Sequence, residues 1–239
     1  MHSVLSVLHV IGCKLVMQDL IILYEAEIRV SVFGGIFCAM ALWELFAPRR
    51  SLQVSKFVRW SSNIGILVIN TIILRLVFPA AAIGVSVFAA SHNWGFFNIL
   101  AWPIWVEILL SVIVLDMVIY SQHVMFHAVP SLWRVHRIHH ADVDFDVSTG
   151  VRFHPIEILL SMLIKMVAVC VLGAPPLAVI VFELLLNGTS MFNHGNVRLP
   201  QLIDKFVRLV LVTPDMHRVH HSVVVGETNS NFGFNLSCW

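Results

Sequence analysis

The histidines constrain this chain most, because ten of the thirteen lie between His123 and His221. A five-residue phrase occurs twice, as His136-Arg137-Ile138-His139-His140 and as His217-Arg218-Val219-His220-His221, and an H-x-x-x-H pair at His123 and His127 precedes both. Residues three and four apart share a helix face, so each phrase is expected to aim three imidazoles at one point. Neutral imidazole is the commonest metal ligand in proteins. The pattern therefore predicts a metal centre built almost wholly from histidine.

The composition predicts that this metal centre belongs to a membrane protein. The 239 residues are 58% hydrophobic and only 12% charged, with a mean hydropathy of +0.86, whereas soluble domains are about 25% charged. The net charge of +1 gives no indication of nucleic-acid binding. The four cysteines form no C-x-x-C pair, which disfavours a disulfide framework or a thiolate metal site. The sequence contains no Gly-rich phosphate loop that would indicate a nucleotide site.

The apolar segments predict an all-α integral membrane protein with about three transmembrane helices, since they reach the roughly 20 residues that a span requires. Two later segments are shorter and are separated by Gly173-Ala174-Pro175-Pro176, which is a turn signal. They are expected to form a short helical hairpin. The spans are expected at about residues 28–47, 63–89 and 99–120, and the hairpin helices at 156–172 and 175–186.

These segments define one domain, residues 28–239, preceded by an N-terminal segment, residues 1–27. The N-terminal segment fits either a short amphipathic stretch or an upstream extension with the true start at Met17. Its two histidines, His2 and His9, are not expected to join the metal centre.

The basic residues predict the side of the membrane on which the histidines lie, because Lys and Arg mark the cytoplasmic side. Residues 91–98, between the second and third spans, contain none. All histidine clusters are therefore expected on the cytoplasmic side of a bacterial inner membrane or, in a eukaryote, of the endoplasmic reticulum. The cations are Arg49, Arg50, Lys56 and Arg59 after the first span, Arg134, Arg137 and Arg152 after the third, and Arg198, Lys205, Arg208 and Arg218 after the hairpin.

Two further histidines and several carboxylates are candidates for the same centre. His154 precedes the hairpin and His194 follows it, and each could be a metal ligand or a neighbour of one. His92, on the opposite loop, is expected to be unrelated. Metal-bound imidazoles usually donate their other N–H group to a carboxylate or a carbonyl. The candidate acceptors are Asp142, Asp144, Asp146, Glu157 and Asp215.

The number of imidazoles predicts two metal ions, since a zinc site uses three or four ligands and eight to ten histidines are available here. Imidazole binds iron, copper, zinc and nickel, so the ligands alone do not identify the element. A redox-active pair at the membrane face favours dioxygen-dependent attack on a lipid C–H bond. A zinc-dependent membrane hydrolase is an alternative, disfavoured by the absence of H-E-x-x-H. A metal transporter is another, disfavoured because the clusters lie outside the predicted spans.

The three histidine phrases, in this order behind membrane spans, resemble the fatty acid hydroxylase superfamily, also called the sterol desaturase family. The connecting segments His154-Pro155-Ile156-Glu157 and Asn193-His194-Gly195-Asn196 are similar to motifs of that family, as is the tail Asn231-Phe232-Gly233-Phe234-Asn235. The resemblance covers about residues 28–239. In the family the tail usually continues past a Trp-Asp pair, whereas this sequence stops at Trp239. Either a fragment or a naturally short chain would end in this way.

The resemblance implies a non-haem di-iron membrane enzyme that uses dioxygen to hydroxylate or desaturate a lipid, such as a sterol or a fatty acyl chain. Zinc could take the place of iron. The chain has no haem or flavin motif, so a separate ferredoxin-like or b-type cytochrome protein would supply the electrons. The implied iron ligands are His123, His127, His136, His139, His140, His217, His220 and His221, with His154 and His194 as additional ligands.

Overall fold

The computed structural model describes residues 22–100 and 102–239, which are helical apart from loops and two isolated β-bridges. The predictions for Met17, His2 and His9 lie outside the described residues. The α-helices are α1 (Glu25–Phe46), α2 (Lys56–Val77), α3 (Ala81–Ser91), α4 (Phe96–Ile99), α5 (Ile104–Ala128), α6 (Pro130–His140), α7 (Pro155–Leu172), α8 (Pro176–Asn193), α9 (Gln201–Val207), α10 (Pro214–His220) and α11 (Val225–Thr228), with a 3-10 turn at Val147–Val151.

The predicted all-α membrane class is confirmed. Five helical segments are long and apolar enough to cross a membrane, judged by length and composition. The first span and the third lie close to their expected positions, and α5 continues to Ala128, so that His123 and His127 form its last two turns. The five segments are α1, the stretch from α2 to α4 (Lys56–Ile99), α5, α7 and α8.

The second predicted span is not one continuous helix. Helix α2 ends at Val77 and α3 begins at Ala81, so the expected helix at 63–89 is wrong. The break falls at Pro79, which has no N–H to donate and disfavours helical geometry in the residue before it. Phe78 accordingly leaves the helix, with φ −128° and ψ 69°. Helix α3 then packs on the hairpin, where Ala82 is fully buried.

The helical hairpin is formed by α7 and α8, which are 18 residues each. The predicted turn is confirmed, because Gly173 ends α7 with φ +66°, a left-handed conformation that glycine adopts without strain. The expected second helix at 175–186 is too short, since α8 continues to Asn193. The hairpin therefore returns the chain to the end from which it started, with His154 just before α7 and His194 just after α8.

Candidate metal centre

Four parts of the chain bring histidines to one end of the helices. The last two turns of α5 carry His123 and His127. Pro130 starts α6 two residues after α5 ends, so the first phrase folds back against the pair. His194 caps the end of α8, and Pro214 starts α10, which holds the second phrase. Proline at the first turn of a helix loses no hydrogen bond, which explains the abrupt start of both phrase-bearing helices.

The structure divides nine of the ten candidate histidines into two groups whose ligand nitrogens lie within 4.8 Å of one another. The groups adjoin, because the rings of His140 and His221 stack with their centroids 4.3 Å apart. The five-histidine group is His123, His127, His136, His140 and His220, and the four-histidine group is His139, His194, His217 and His221.

The expectation that each phrase aims three imidazoles at one point is wrong, because the structure splits both phrases between the groups. His136 and His140 belong to the five-histidine group, whereas His139 belongs to the four-histidine group. Successive helical residues turn by about 100°, so His139 and His140 project on opposite sides of His136. The second phrase splits in the same way. Each group therefore depends on both phrases, which lie far apart in sequence.

The hydrogen bonds at Nδ1 fix the tautomer of five of these rings. In each ring Nδ1 faces an oxygen that can only accept, so Nδ1 carries the proton and Nε2 carries a lone pair. These contacts are His123 to the Phe232 carbonyl (2.8 Å), His136 to Glu157 Oε1 (2.6 Å), His139 to the Arg152 carbonyl (3.1 Å), His194 to the Ser190 carbonyl (2.7 Å) and His220 to the Ser230 carbonyl (2.8 Å).

The unprotonated nitrogens of these rings point at one another. The Nε2 atom of His123 lies 3.1 Å from Nε2 of His136 and 3.1 Å from Nε2 of His220. In the other group, Nε2 of His194 lies 3.1 Å from Nε2 of His139. No proton is available for a hydrogen bond across these pairs, and facing lone pairs repel. A metal cation between them would remove the repulsion, so the residues present fit two metal ions.

Burial favours the neutral, metal-binding form in five of the grouped rings. It lowers the pKa of His194 to about 4. It lowers the pKa of four other rings well below the usual range of imidazole, because charging them would cost hydration and their neighbours would repel the charge. These four are His139, His217, His220 and His221.

Unpartnered nitrogen atoms give a second indication that these groups suit a cation. Within the described residues, both ring nitrogens of His140 and Nε2 of His127 are buried without a hydrogen-bond partner. Such atoms are costly in a folded protein unless a ligand occupies them. The structure does not bring His154 into either group. Its Nδ1 instead accepts from the Ile156 N–H (3.1 Å) and caps α7.

Three of the expected acceptor carboxylates bind cations and backbone groups instead of histidines. Arg59 is buried and donates to Asp142 (2.8 Å) and Asp146 (2.5 Å). Asp144 accepts from the backbone N–H groups of Gln53 and Val54 (both 2.8 Å). These contacts fix the loop after α6 to the start of α2. Arg59 is thus a buried structural cation that holds the loop after α6 in place.

Of the remaining two acids, Asp215 bonds to Arg49 (3.1 Å) and Glu157 alone contacts a histidine, His136. The other acceptors of histidine protons are mostly backbone carbonyls. Every residue has a backbone carbonyl, so the sequence does not show which ones accept. Sequence reasoning also missed Glu44, which is 3% exposed and accepts from the N–H groups of Val147 and Asn196. Its position could have been recognised, because a carboxylate inside an apolar span is usually functional or paired.

Asp116 is a second buried carboxylate that sequence reasoning did not place at the site. It lies within α5 at 2% exposure and anchors the C-terminal tail (residues 229–239). The same tail supplies the Phe232 and Ser230 carbonyls that orient His123 and His220. The tail therefore connects Asp116 to two of the grouped histidines. Its donors are Asn235 Nδ2 (2.7 Å), the Leu236 N–H (3.2 Å) and Trp239 Nε1 (2.7 Å).

The metal centre lies between two cavities. The inner cavity, about 390 Å³, runs among the apolar helices and reaches His123 and His136 at one end. The surface pocket, about 520 Å³, lies on the other side and is lined by His127, His140 and His221. A substrate and a partner could therefore approach the same centre from different directions.

Comparison with known proteins identifies the family of this chain. A family model described as fatty acid hydroxylase matches residues 108–239, just over half of the chain and all nine grouped histidines. The chain is similar to ornithine lipid hydroxylase OlsE of Rhizobium tropici, at 30% identity over 162 residues. The match covers 68% of this chain and 48% of that protein, so the chain spans about half the length of this curated relative. No solved structure matches. The chain belongs to the fatty acid hydroxylase family.

Proposed function

We propose that this protein is a dioxygen-dependent di-iron enzyme that hydroxylates a membrane lipid. The observation that supports it best is the convergence of neutral, unprotonated imidazole nitrogens in two adjoining groups at the end of an apolar cavity. Two iron ions held by these groups would supply the activation of dioxygen that an unactivated C–H bond requires. In the overall reaction one oxygen atom enters the C–H bond, and the other becomes water with two electrons and two protons.

Residues of this chain would orient the substrate and keep water away from the reaction. His123 and His136 form the wall where the inner cavity meets the five-histidine group, so a substrate C–H bond would lie against them. Glu157 holds the proton on Nδ1 of His136 and keeps Nε2 free for metal. The apolar walls of the cavity exclude water and align a lipid chain, and positioning of this kind lowers the barrier of the oxidation step.

We further propose an amino-acid-containing membrane lipid as the substrate, on the basis of the name of the Rhizobium tropici relative. Membranes that contain this protein, an N-acyl ornithine lipid and a ferredoxin with its reductase should form a hydroxylated lipid. Under dioxygen labelled with oxygen-18, mass spectrometry should find one labelled atom in each product. Label taken from water instead would contradict the proposal, because it would indicate hydration or hydrolysis.

We propose that the electron donor, a ferredoxin-like or b-type cytochrome protein, docks over the surface pocket. This pocket reaches histidines of both groups, His140 of one and His221 of the other. Trp133 and the exposed Arg137 also line it and would face an acidic partner. The approach leaves the inner cavity free for the lipid.

We also propose that the metal centre faces the cytoplasm. The test uses single cysteines, introduced after removal of the native ones, at two exposed sites: Val223→Cys beside the metal centre and Ser91→Cys at the end of α3. A membrane-impermeant maleimide should label Ser91→Cys in intact cells and Val223→Cys only after lysis. Labelling of both positions in intact cells would contradict this topology.

A further inference from the structure

The wall of the inner cavity beside the metal centre carries three polar side chains, Asn70, Gln122 and Glu157. They come from three helices, α2, α5 and α7. Each is at least nine-tenths buried, with exposures of 4%, 9% and 4%. Long helices of a lipid-binding protein would normally present apolar residues to such a cavity, so this polar wall needs a physical reason.

Each of the three side chains makes one hydrogen bond to the protein and leaves one oxygen atom without a donor. Asn70 Nδ2 donates to the Phe153 carbonyl (2.8 Å), and Gln122 Nε2 donates to Ser161 Oγ (2.7 Å). Glu157 Oε1 accepts from His136. Within the described part of the chain, Asn70 Oδ1, Gln122 Oε1 and Glu157 Oε2 have no donor. All three unused atoms are acceptors.

The far end of the inner cavity differs, although it carries more charge. Arg29 and Lys165 both form ion pairs with Glu183, and Arg29 also pairs with Glu25, so the charges there compensate one another. Between the two ends the walls are apolar and include Ile119 and Met162. Unused hydrogen-bonding capacity is therefore concentrated at the metal end of the inner cavity.

We propose that Asn70, Gln122 and Glu157 form an acceptor site for a hydrogen-bond donor of the substrate. The substrate is then a polar lipid whose oxidised carbon lies next to a hydroxyl, amide N–H or amine group, rather than a plain hydrocarbon chain. A buried acceptor without a donor costs about as much as a lost hydrogen bond. A site built around such groups rejects analogues that lack the donor. This inference rests on the proposed lipid hydroxylation and specifies its substrate class.

The test measures binding without turnover, using the metal-loaded protein in nanodiscs with no reductant. Two radiolabelled probes of equal chain length are compared: an N-acyl ornithine lipid, which carries N–H donors, and a fatty acid methyl ester, which carries none. The wild-type protein should bind the donor lipid at least about tenfold more tightly, the ratio expected from one buried hydrogen bond. Equal affinity for both probes would overturn the acceptor site.

Variants test whether the preference for the donor lipid depends on these acceptors. Gln122→Leu and Asn70→Leu should each reduce the affinity ratio of the two probes about tenfold. Asn187→Leu is the control, because it makes the same amide-to-alkyl change at an exposed residue that also borders the cavity and should leave the ratio unchanged. An unchanged ratio in both Gln122→Leu and Asn70→Leu would overturn the proposal.

The two test variants lie on different helices, α5 and α2, so a folding defect in one leaves the other informative. Metal content, measured alongside, identifies such a defect. Failure of lipid hydroxylation itself would appear in the oxygen-18 experiment, not in these binding ratios.

Discussion

His139→Ala and His220→Ala should each abolish lipid hydroxylation and lower the iron bound per chain. Wild-type protein from iron-replete cells should contain close to two ions, one for each group. His139→Ala leaves three imidazoles in the four-histidine group and should reduce the total to about one. His220→Ala leaves four in the five-histidine group, so its ion should be weakened and partly lost. Elemental analysis counts iron and zinc together, because imidazole binds both.

Both variants should still insert into the membrane, because helix packing and satisfied backbone hydrogen bonds hold the spans. His92→Ala is the control, since this exposed ring lies at the end of α3 and, among the described residues, bonds only to Ser91 and the Phe88 carbonyl. It should retain full activity and both ions. Full activity in His220→Ala would remove the second phrase from the reaction centre. About one ion in folded wild-type protein would contradict the binuclear site.

Asp116→Ala should release the C-terminal tail and thereby weaken metal binding. Its carboxylate accepts three hydrogen bonds from the tail, and hydrogen bonds to a charged group contribute about 1.5–3 kcal/mol each. Loss of the anchor would let the carbonyls behind His123 and His220 move. Groups that orient metal ligands typically contribute 10–100-fold in affinity, so we expect the metal affinity to fall roughly tenfold.

Two measurements separate this effect from general unfolding. Limited proteolysis should cleave the tail of Asp116→Ala faster than that of the wild type, while α1 to α8 stay resistant. Glu107→Ala is the matched control, because Glu107 lies on the same helix and makes no ion pair or hydrogen bond within residues 22–100 and 102–239. Wild-type metal affinity together with a protease-sensitive tail in Asp116→Ala would show that the tail does not orient the ligands.

The sequence predicted the helical membrane class and most of the histidines that the fold brings together, because both depend on local pattern. Apolar runs of sufficient length indicate spans, and histidines at helical spacing lie together whatever surrounds them. The pair His123 and His127 was correctly placed at the end of the third span. His194 joins the four-histidine group as one of the expected possibilities, whereas His154 caps a helix.

What the sequence could not show depends on contacts between distant segments. Which part of one phrase shares a group with which part of the other depends on the relative placement of α6 and α10. Asp142 and Asp146 were assigned to the histidines because they are close in sequence, yet both form ion pairs with Arg59 instead. The break at Pro79 could have been foreseen, since proline disfavours an uninterrupted helix.

The aim of several imidazoles is set by the course of the main chain rather than by the chemistry of neighbouring side chains. Four of the five fixed Nδ1 protons are held by carbonyl oxygens, two of them in the C-terminal tail. A substitution at Ser230 exchanges the side chain and leaves its carbonyl in place. Insertion or deletion of one residue beside it would displace the carbonyl. Among related chains, we therefore expect the residue types in this tail to vary more than its length.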